Sequence, residues 1–174
     1  MLYISTILVF IIFIILLNFA YAGVSAAPWV PSRKKDYQRV LELAGIKNGD
    51  TVYDLGSGDG RWLFYFAKHS PAQEIRGYEI SLIMYLICWI KKLFSGYPQV
   101  KLSFGNFYKF NLSKADVLIC FLTPRAMKKL LPKLKKEMKP GSRLVSYAFT
   151  MPNVEAEKVS KVSQKSVSIY LYRF

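Results

Sequence analysis

The chain of 174 residues is long enough to form one domain with its own core, and a second domain of ordinary size does not fit beside it. It carries 25 Lys and Arg against 11 Asp and Glu, and the formal net charge of +14 favours partners with negative charge. Its two cysteines, Cys88 and Cys120, stand among apolar residues without metal-ligand spacing, which argues against a metal centre and indicates reduced core residues.

The beginning of the chain is a long apolar segment. The first 32 residues contain no charged side chain, and Leu2–Ala22 is a nearly continuous apolar run of the length that spans a bilayer as a helix. We therefore expect residues 1–24 to be a transmembrane anchor and residues 25–174 to be the folded domain. A cleaved secretory signal is the alternative, because the small residues Ala20 and Ala22 offer a cleavage site.

The positive charge of the chain lies entirely after this segment. A basic cluster, Arg33–Lys35, follows the apolar run directly, and this order predicts a single-pass membrane protein with its domain on the cytoplasmic side. Basic residues near a bilayer are attracted to anionic headgroups, so an anionic membrane surface is an expected partner. Nucleic acid also attracts basic proteins, but the membrane segment argues against that partner.

Short apolar runs alternate with segments of helical periodicity along the rest of the chain. This alternation predicts an α/β fold, a Rossmann-like and mostly parallel seven-stranded sheet with helices on both faces and ligands at the carboxyl ends of the strands. The last two strands are expected to form an antiparallel pair. The predicted helices are Arg33–Ala44, Arg61–Lys68, Leu82–Phe94 and Pro124–Met138. The predicted strands are Val52–Leu55, Arg76–Ile80, Val100–Phe104, Asp116–Leu122, Arg143–Phe149, Val159–Val162 and Ser166–Tyr172.

The third predicted helix is unusual because Leu82–Trp89 is apolar nearly all round. One buried face does not require so many apolar residues. Two interpretations are open at this point: the helix is buried between the sheet and loops that face the membrane, or it enters the membrane interface.

A glycine-rich loop follows the first predicted strand. Residues 54–60, Asp-Leu-Gly-Ser-Gly-Asp-Gly, place glycines at alternate positions, where a side chain would block a ligand from the backbone. The nicotinamide dinucleotide fingerprint has its third glycine one place later, where this chain has Arg61. The acids Asp54 and Glu79, at the ends of two successive strands, suit instead a ligand with an ammonium group and a free ribose. S-adenosylmethionine carries both.

These residues resemble a known family. Residues 54–60 are similar to the first motif of class I S-adenosylmethionine-dependent methyltransferases, and Glu79 resembles their ribose-binding acid. Four more segments resemble one subgroup, the small protein-lysine methyltransferases: Pro28–Ser32, Ala115–Pro124, Lys139–Ser146 and Phe149–Pro152. That subgroup includes membrane-anchored mitochondrial enzymes that modify lysines of inner-membrane proteins, and archaeal enzymes of broad protein specificity.

The resemblance implies a role for each part of the cofactor site. Amides of the glycine loop hold the methionine carboxylate, Asp54 orients the loop or binds the amino group, and Glu79 accepts hydrogen bonds from the ribose hydroxyls. The family usually has an aspartate where this chain has Asn106, which keeps an acceptor oxygen for the adenine amino group. Asp59 either caps the next helix or contacts the ligand. The expected cofactor-binding residues are Ser32, Asp54, Gly56, Ser57, Gly58, Asp59, Gly60, Glu79, Ile80, Asn106 and Phe107.

The acceptor site is expected at the end of the fourth strand, at Leu122, Thr123 and Pro124, although an ordinary strand-to-helix turn explains the same residues. Methyl transfer needs alignment and exclusion of water more than acid–base groups, so no catalytic residue is assigned. The resemblance implies a methyltransferase that modifies lysines of proteins at or near the membrane. The alternatives are a methyltransferase of lipids or small amines and a non-catalytic adaptor that binds S-adenosylmethionine.

Overall fold

The computed structural model describes residues 2–25 and 27–174, which form five α-helices and one seven-stranded sheet. The helices are α1 (Leu2–Ser25), α2 (Tyr37–Ala44), α3 (Arg61–His69), α4 (Leu82–Leu93) and α5 (Pro124–Glu137). The strands are β1 (Thr51–Leu55), β2 (Glu74–Glu79), β3 (Val100–Phe104), β4 (Val117–Cys120), β5 (Arg143–Tyr147), β6 (Lys158–Ser160) and β7 (Ile169–Arg173). Two single turns of 3₁₀ helix occur at Lys34–Asp36 and Phe107–Lys109.

The strand order is β3-β2-β1-β4-β5-β7-β6. Strands β1 to β5 are parallel, whereas β7 runs antiparallel to both β5 and β6. The predicted Rossmann-like seven-stranded sheet is therefore confirmed, with its parallel part limited to five strands. The predicted antiparallel pair at the end of the chain is also present.

The central strand β4 shows why the sheet lies between two layers of helices. All four of its residues are buried, and they alternate between the two cores: Val117 and Ile119 point to one face, and Leu118 and Cys120 point to the other. Residues of α2, α3 and α4 pack on the first face, and α5 packs on the second. A fully buried parallel strand reads as a continuous apolar run, which is the pattern that the sequence shows here.

The strand order reverses between β1 and β4, and this reversal creates a crevice at the carboxyl ends of the strands. The last residue of β1, Leu55, pairs with Tyr78 of β2 on one side and with Cys120 of β4 on the other. The loops that follow these three strands therefore meet at one edge of the sheet.

Most predicted elements begin or end a few residues away from their predicted bounds, and for two of them the structure shows a local reason. The predicted first helix is divided into a 3₁₀ turn and α2, and the buried carboxylate of Asp36 accepts hydrogen bonds from Arg39 and the Tyr147 hydroxyl at 2.7 Å each. The predicted fifth strand stops at Tyr147 because Ala148 has a φ of 71°, which is not an extended conformation.

Helix α1 stands apart from the sheet along most of its length. Within the described chain it is the one helix long and apolar enough to cross a membrane, with a mean hydropathy of 2.7 over Tyr3–Ser25, although a signal sequence meets the same criteria. Only its last two turns contact the domain. Ala22 is buried there, and the hydroxyl of Ser81 donates a hydrogen bond of 2.6 Å to Asn18 Oδ1.

Candidate active site

The glycine loop turns from the end of β1 towards β2. The amides of Gly56 and Ser57 both donate to the carbonyl of Tyr78, at 2.9 and 3.0 Å. Gly58 has a φ of +55°, and a Cβ atom at this position would lie 2.9 Å from Nε1 of Trp29. The loop therefore requires glycine at position 58 for its conformation and for the close approach of Trp29.

Gly60 is required for packing. It precedes the first residue of α3 with a φ of +77°, and a Cβ atom there would overlap the Cys88 sulfur and lie 2.8 Å from Cε2 of Phe64. Gly60 does not line the cavity described next. The third glycine of the loop is therefore needed because the loop packs closely against α4 at this position.

A cavity lies at the carboxyl ends of β1, β2 and β4, and most of the predicted site residues meet there. Those that line it are Ser32, Asp54, Gly56, Ser57, Gly58, Asp59, Glu79, Ile80, Phe107 and Leu122. Four other predicted site residues lie outside its lining: Gly60, Asn106, Thr123 and Pro124.

The cavity is narrow because residues 27–32 lie across the glycine loop. It encloses about 80 Å³, whereas pockets for small-molecule ligands typically have roughly 300 Å³ or more. The residues that close it on this side include Trp29, Val30 and Ser32. This segment, called the strap below, therefore limits the space that is open above the glycine loop.

Asp54 presents a buried carboxylate to the cavity. The residue is 2% exposed, and its Oδ1 has no hydrogen-bond partner within the described part of the chain. Burial raises the pKa of Asp54 well above its usual value, and the nearby charges of Glu79 and Asp59 raise it further. A buried oxygen without a partner is costly, so the position is suited to a cationic or hydrogen-bond-donating ligand.

Glu79 joins the glycine loop to the beginning of α4. Its Oε2 accepts a hydrogen bond from the Gly58 amide, and its Oε1 accepts one from the Ser81 amide, both at 2.7 Å. Burial raises the pKa of Glu79, and the hydrogen bonds from backbone amides oppose that rise. Each carboxylate oxygen keeps a second lone pair, so Glu79 can still accept a hydroxyl donor from the cavity.

Asp59 binds two cations instead of capping α3. Its carboxylate lies 2.8 Å from Nε of Arg61 and 2.8 Å from Nζ of Lys91. Burial alone would raise the pKa of Asp59, but the hydrogen bonds from Arg61 and Lys91 outweigh it and the pKa is lowered. Arg61 also donates to the Ser32 carbonyl at 3.2 Å and lies over the Trp29 ring at 5.7 Å, so it fastens the strap to the loop.

Asn106 and Phe107, predicted at the adenine end, are placed differently. The Phe107 side chain is buried and lines the cavity. The Asn106 oxygen accepts a hydrogen bond of 3.0 Å from the Tyr108 amide, and it thereby caps a 3₁₀ turn. Asn106 has a local structural role in this arrangement, beside any role towards a ligand.

The residues predicted at the acceptor end also separate. Leu122 lines the cavity, as does its neighbour Phe121. Thr123 precedes α5, where its hydroxyl accepts a hydrogen bond of 3.3 Å from the Ala126 amide, and Pro124 is the first residue of that helix. The turn at Thr123 and Pro124 therefore has the structure of an ordinary helix beginning.

An aromatic wall forms the side of the cavity next to Leu122. Phe121 packs edge-on against Tyr147 with ring centroids 4.9 Å apart, and Trp62 packs against the same ring at 5.6 Å. Burial and a hydrogen bond to Asp36 raise the pKa of Tyr147 to about 12, so its hydroxyl stays neutral. The indole nitrogen of Trp62 is buried and has no partner among the described residues.

Nine residues that line this cavity were not among the predicted site residues: Ala22, Ala27, Pro28, Trp29, Val30, Arg61, Trp62, Ser81 and Phe121. Position along the chain was a signal for four of them: Arg61 and Trp62 follow the glycine loop, and Ser81 and Phe121 are next to the predicted Ile80 and Leu122. Trp29 reaches the cavity through packing between distant segments, which no local spacing indicates.

The polar groups of the cavity fit S-adenosylmethionine. Its ammonium and sulfonium groups suit the unpartnered oxygen of Asp54 and the acidic surroundings made with Glu79. The loop amides expected to hold its carboxylate donate within the protein in this structure: those of Gly56 and Ser57 to the Tyr78 carbonyl, that of Gly58 to Glu79 and that of Gly60 to the Ser57 carbonyl. When bound, this cofactor supplies an electrophilic methyl group.

Comparisons with known proteins agree with this fit. The family model of the ANTKMT methyltransferase domain matches residues 54–158. A protein-lysine N-methyltransferase of Saccharolobus islandicus (strain REY15A) is 36% identical over 150 residues, which cover 83% of this chain and 92% of that protein. The adenine nucleotide translocase lysine N-methyltransferase of Mus musculus is 29% identical over 126 residues, which cover 72% of this chain and 54% of that protein.

Solved structures share the fold. An RNA methyltransferase from Salinibacter ruber, in complex with S-adenosyl-L-homocysteine, superposes with a TM-score of 0.77 and 30% identity, covering 83% of this chain and 93% of that one. The identity and coverage of the relatives together exceed what a shared fold alone produces. The chain belongs to the ANTKMT methyltransferase domain family, within the class I S-adenosylmethionine-dependent methyltransferases.

Proposed function

We propose that this methyltransferase modifies lysine side chains of proteins at the membrane in which α1 anchors it. The observation that carries the proposal is an acceptor side walled by Trp62 and Phe121, next to the acidic cofactor side. Both curated relatives described above are named as lysine methyltransferases, which supports the same acceptor.

An apolar wall suits a lysine acceptor because the amine must lose its proton before it can attack. A lysine amine has a pKa of about 10.4 in water, and removal from water disfavours its charged form and lowers that pKa. Aromatic faces also attract the ammonium group as it arrives. The indole and phenyl groups therefore hold the incoming side chain and favour its neutral form.

We assign no general base for this step among the described residues that line the cavity, because the unpartnered carboxylate there, Asp54, is expected to face the cationic groups of the cofactor. The carboxylates that line the cavity are Asp54, Asp59 and Glu79 among the described residues. Asp59 is paired with two cations, and Glu79 accepts hydrogen bonds from backbone amides. We infer that the proton leaves to water before the acceptor nitrogen is enclosed, and that the protein contributes by aligning the amine and excluding water.

Membrane anchoring is part of the proposal. Helix α1 is long and apolar enough to cross a bilayer, and the basic cluster Arg33–Lys35 follows it. We keep the division into an anchor at residues 1–24 and a domain at residues 25–174. The excess of basic residues after the anchor supports a cytoplasmic domain held near anionic headgroups.

The test is transfer of tritiated methyl groups from S-adenosylmethionine by the full chain in its host membranes, followed by mass spectrometry of labelled products. Methyllysine in membrane proteins is the expected product. Label in extractable lipid would contradict the lysine acceptor and indicate a lipid amine instead. Label in RNA, the acceptor class of the Salinibacter ruber protein, would replace it by nucleic acid, and cofactor binding without any transfer would indicate an adaptor.

A matched pair of glycine variants ties the label to this site. Gly58→Ala places a methyl group against Trp29, whereas Gly49→Ala meets nothing within 4 Å. Both glycines have positive φ, +55° at Gly58 and +85° at Gly49, so Gly49→Ala also carries a backbone penalty and controls for it. We expect Gly58→Ala to lose transfer and Gly49→Ala to keep it; equal activity of the two would contradict the site.

A further inference from the structure

The outward face of α4 is apolar along its whole length. Seven large apolar side chains on or directly after this helix are between 36% and 85% exposed: Leu82, Leu86, Ile87, Trp89, Ile90, Leu93 and Phe94. The opposite side, with Met84 and Cys88, is buried against the sheet. Among the described residues, no loop covers this face. The structure therefore does not support burial of α4 between the sheet and loops, which was the first of the two interpretations that the sequence left open.

The outward face of α4 differs from that of α5, which lies on the other side of the same sheet. The exposed positions of α5 carry basic residues, among them Lys128, Lys129, Lys135 and Lys136. The two charged residues of α4, Lys91 and Lys92, lie in its last turn, and Lys91 is paired with Asp59. A water-exposed helix carries charge on its outer face, and large contiguous apolar patches mark interaction surfaces.

Helix α1 indicates what covers this face. The hydroxyl of Ser81, which caps the beginning of α4, donates to Asn18 of α1 at 2.6 Å, and Ala22 of α1 is buried against the domain. Asn18 and Ala22 both lie inside the candidate membrane span Tyr3–Ser25. The apolar face of α4 therefore begins beside the proposed membrane span α1. It lies at the same level along the bilayer normal as the last two turns of α1.

We propose that the outward face of α4 lies in the headgroup and acyl boundary of the bilayer that α1 crosses. This inference rests on the anchoring by α1 proposed above. Trp89 has the side chain that prefers this boundary, and Lys92 lies at the end of α4, where its ammonium group can reach anionic headgroups. The bilayer then covers the apolar face, and α4 lies in the membrane interface as an amphipathic helix does.

This placement restricts the substrates of the methyltransferase. Ala22 of α1 and Ser81, at the beginning of α4, both line the cofactor cavity, so the cavity lies directly beside the lipid surface. Lysines that reach it are those close to the bilayer plane, such as residues at the ends of transmembrane helices. The site is thereby matched to juxtamembrane lysines of neighbouring membrane proteins.

The experiment uses a fluorophore attached to single introduced cysteines in the full chain, reconstituted in vesicles of phosphatidylcholine with one quarter phosphatidylglycerol. The test site is Ile90→Cys on α4, and the matched control is Lys135→Cys on the exposed side of α5. The native Cys88 and Cys120 are buried and do not compete for the label. Binding of S-adenosylhomocysteine by both labelled proteins verifies that they are folded.

We expect the label at position 90 to be quenched several-fold more by lipid-borne nitroxides than the label at position 135. Iodide in the buffer should give the reverse order. A label at position 90 that is as open to iodide as the control overturns the proposal. Protection from both quenchers also overturns it, because that result indicates a second protein copy on the patch.

Flotation of the same vesicles after alkaline carbonate washing separates this inference from the proposed anchoring. Protein that stays with the vesicles while position 90 faces water keeps the anchor and refutes the membrane contact of α4. Protein that is washed off refutes both. The products of methyl transfer are measured separately, so neither outcome depends on the identity of the acceptor.

Discussion

Replacement of Asp54 by asparagine tests the cofactor site most directly. The residue is 2% exposed, and its Oδ1 has no hydrogen-bond partner within residues 2–25 and 27–174. Asparagine keeps the shape of the side chain and removes the charge. The substitution therefore separates the electrostatic role of Asp54 from its packing.

Two effects of opposite sign are expected. A hydrogen bond to a charged group contributes about 1.5–3 kcal/mol, so loss of the carboxylate should weaken cofactor binding by about 10- to 150-fold. The ligand-free protein should unfold at an unchanged or higher temperature near neutral pH, because a buried ionised carboxylate without a partner destabilises the folded state.

The pH dependence follows from the raised pKa of Asp54, which is caused first by burial and then by the charges of Glu79 and Asp59. The contribution of this group to folding stability is complete below its unfolded pKa, and it is lost as the pH rises through the higher folded value. A cationic ligand favours the ionised form, so affinity should rise with pH through the folded pKa and binding should release a proton below it. The pKa of Glu79 is also raised, so Asp54→Asn removes only part of this dependence.

Isothermal titration calorimetry with S-adenosylmethionine and S-adenosylhomocysteine, in buffers of different ionisation enthalpy, measures both affinity and proton release. Asp116→Asn is the matched control. Its carboxylate pairs with Lys139 at 2.6 Å and accepts from the Thr51 amide at the other end of the sheet. The control should bind cofactor normally. Unchanged affinity of Asp54→Asn, or a loss of affinity accompanied by a lower unfolding temperature, would refute the reasoning.

Three further predictions concern the loop and the strap. Glu79→Gln leaves one of the two backbone amides without a carboxylate partner. We therefore expect weaker cofactor binding and a loss of about 1–3 kcal/mol in the free energy of unfolding, measured with urea. Full stability would show that these hydrogen bonds are dispensable. Gly60→Ala should cost about 1–2 kcal/mol from its positive φ alone, and more from overlap with Cys88. The double variant with Cys88→Ala should lose less than the sum of the two single variants, whereas simple additivity would show that no overlap occurs. Trp29→Ala removes the contact with Arg61 and opens the strap. Association and dissociation of the cofactor should therefore both become faster in stopped-flow experiments. Unaltered rates would show that the strap does not limit entry.

Local patterns in the sequence determined the fold class. The alternation of apolar strands with helical segments requires a sheet with helices on both faces, because each element must bury its apolar side. The buried run Val117–Cys120 shows this for the central strand. Asp54 and Glu79 could be predicted to converge because the carboxyl ends of adjacent parallel strands lie at one edge of the sheet. Their roles as cofactor ligands stay predictions.

The tertiary structure decided the features that depend on contacts between distant segments. Sequence spacing gave Gly58 and Gly60 the same interpretation, but Gly58 faces Trp29 at the cavity and Gly60 faces Cys88 behind it. The same applies to the outward face of α4, because an apolar helix reads alike whether it is covered or exposed. Spacing along the chain encodes which residues share a strand or a helix face, whereas the neighbours of that face depend on how the whole chain packs.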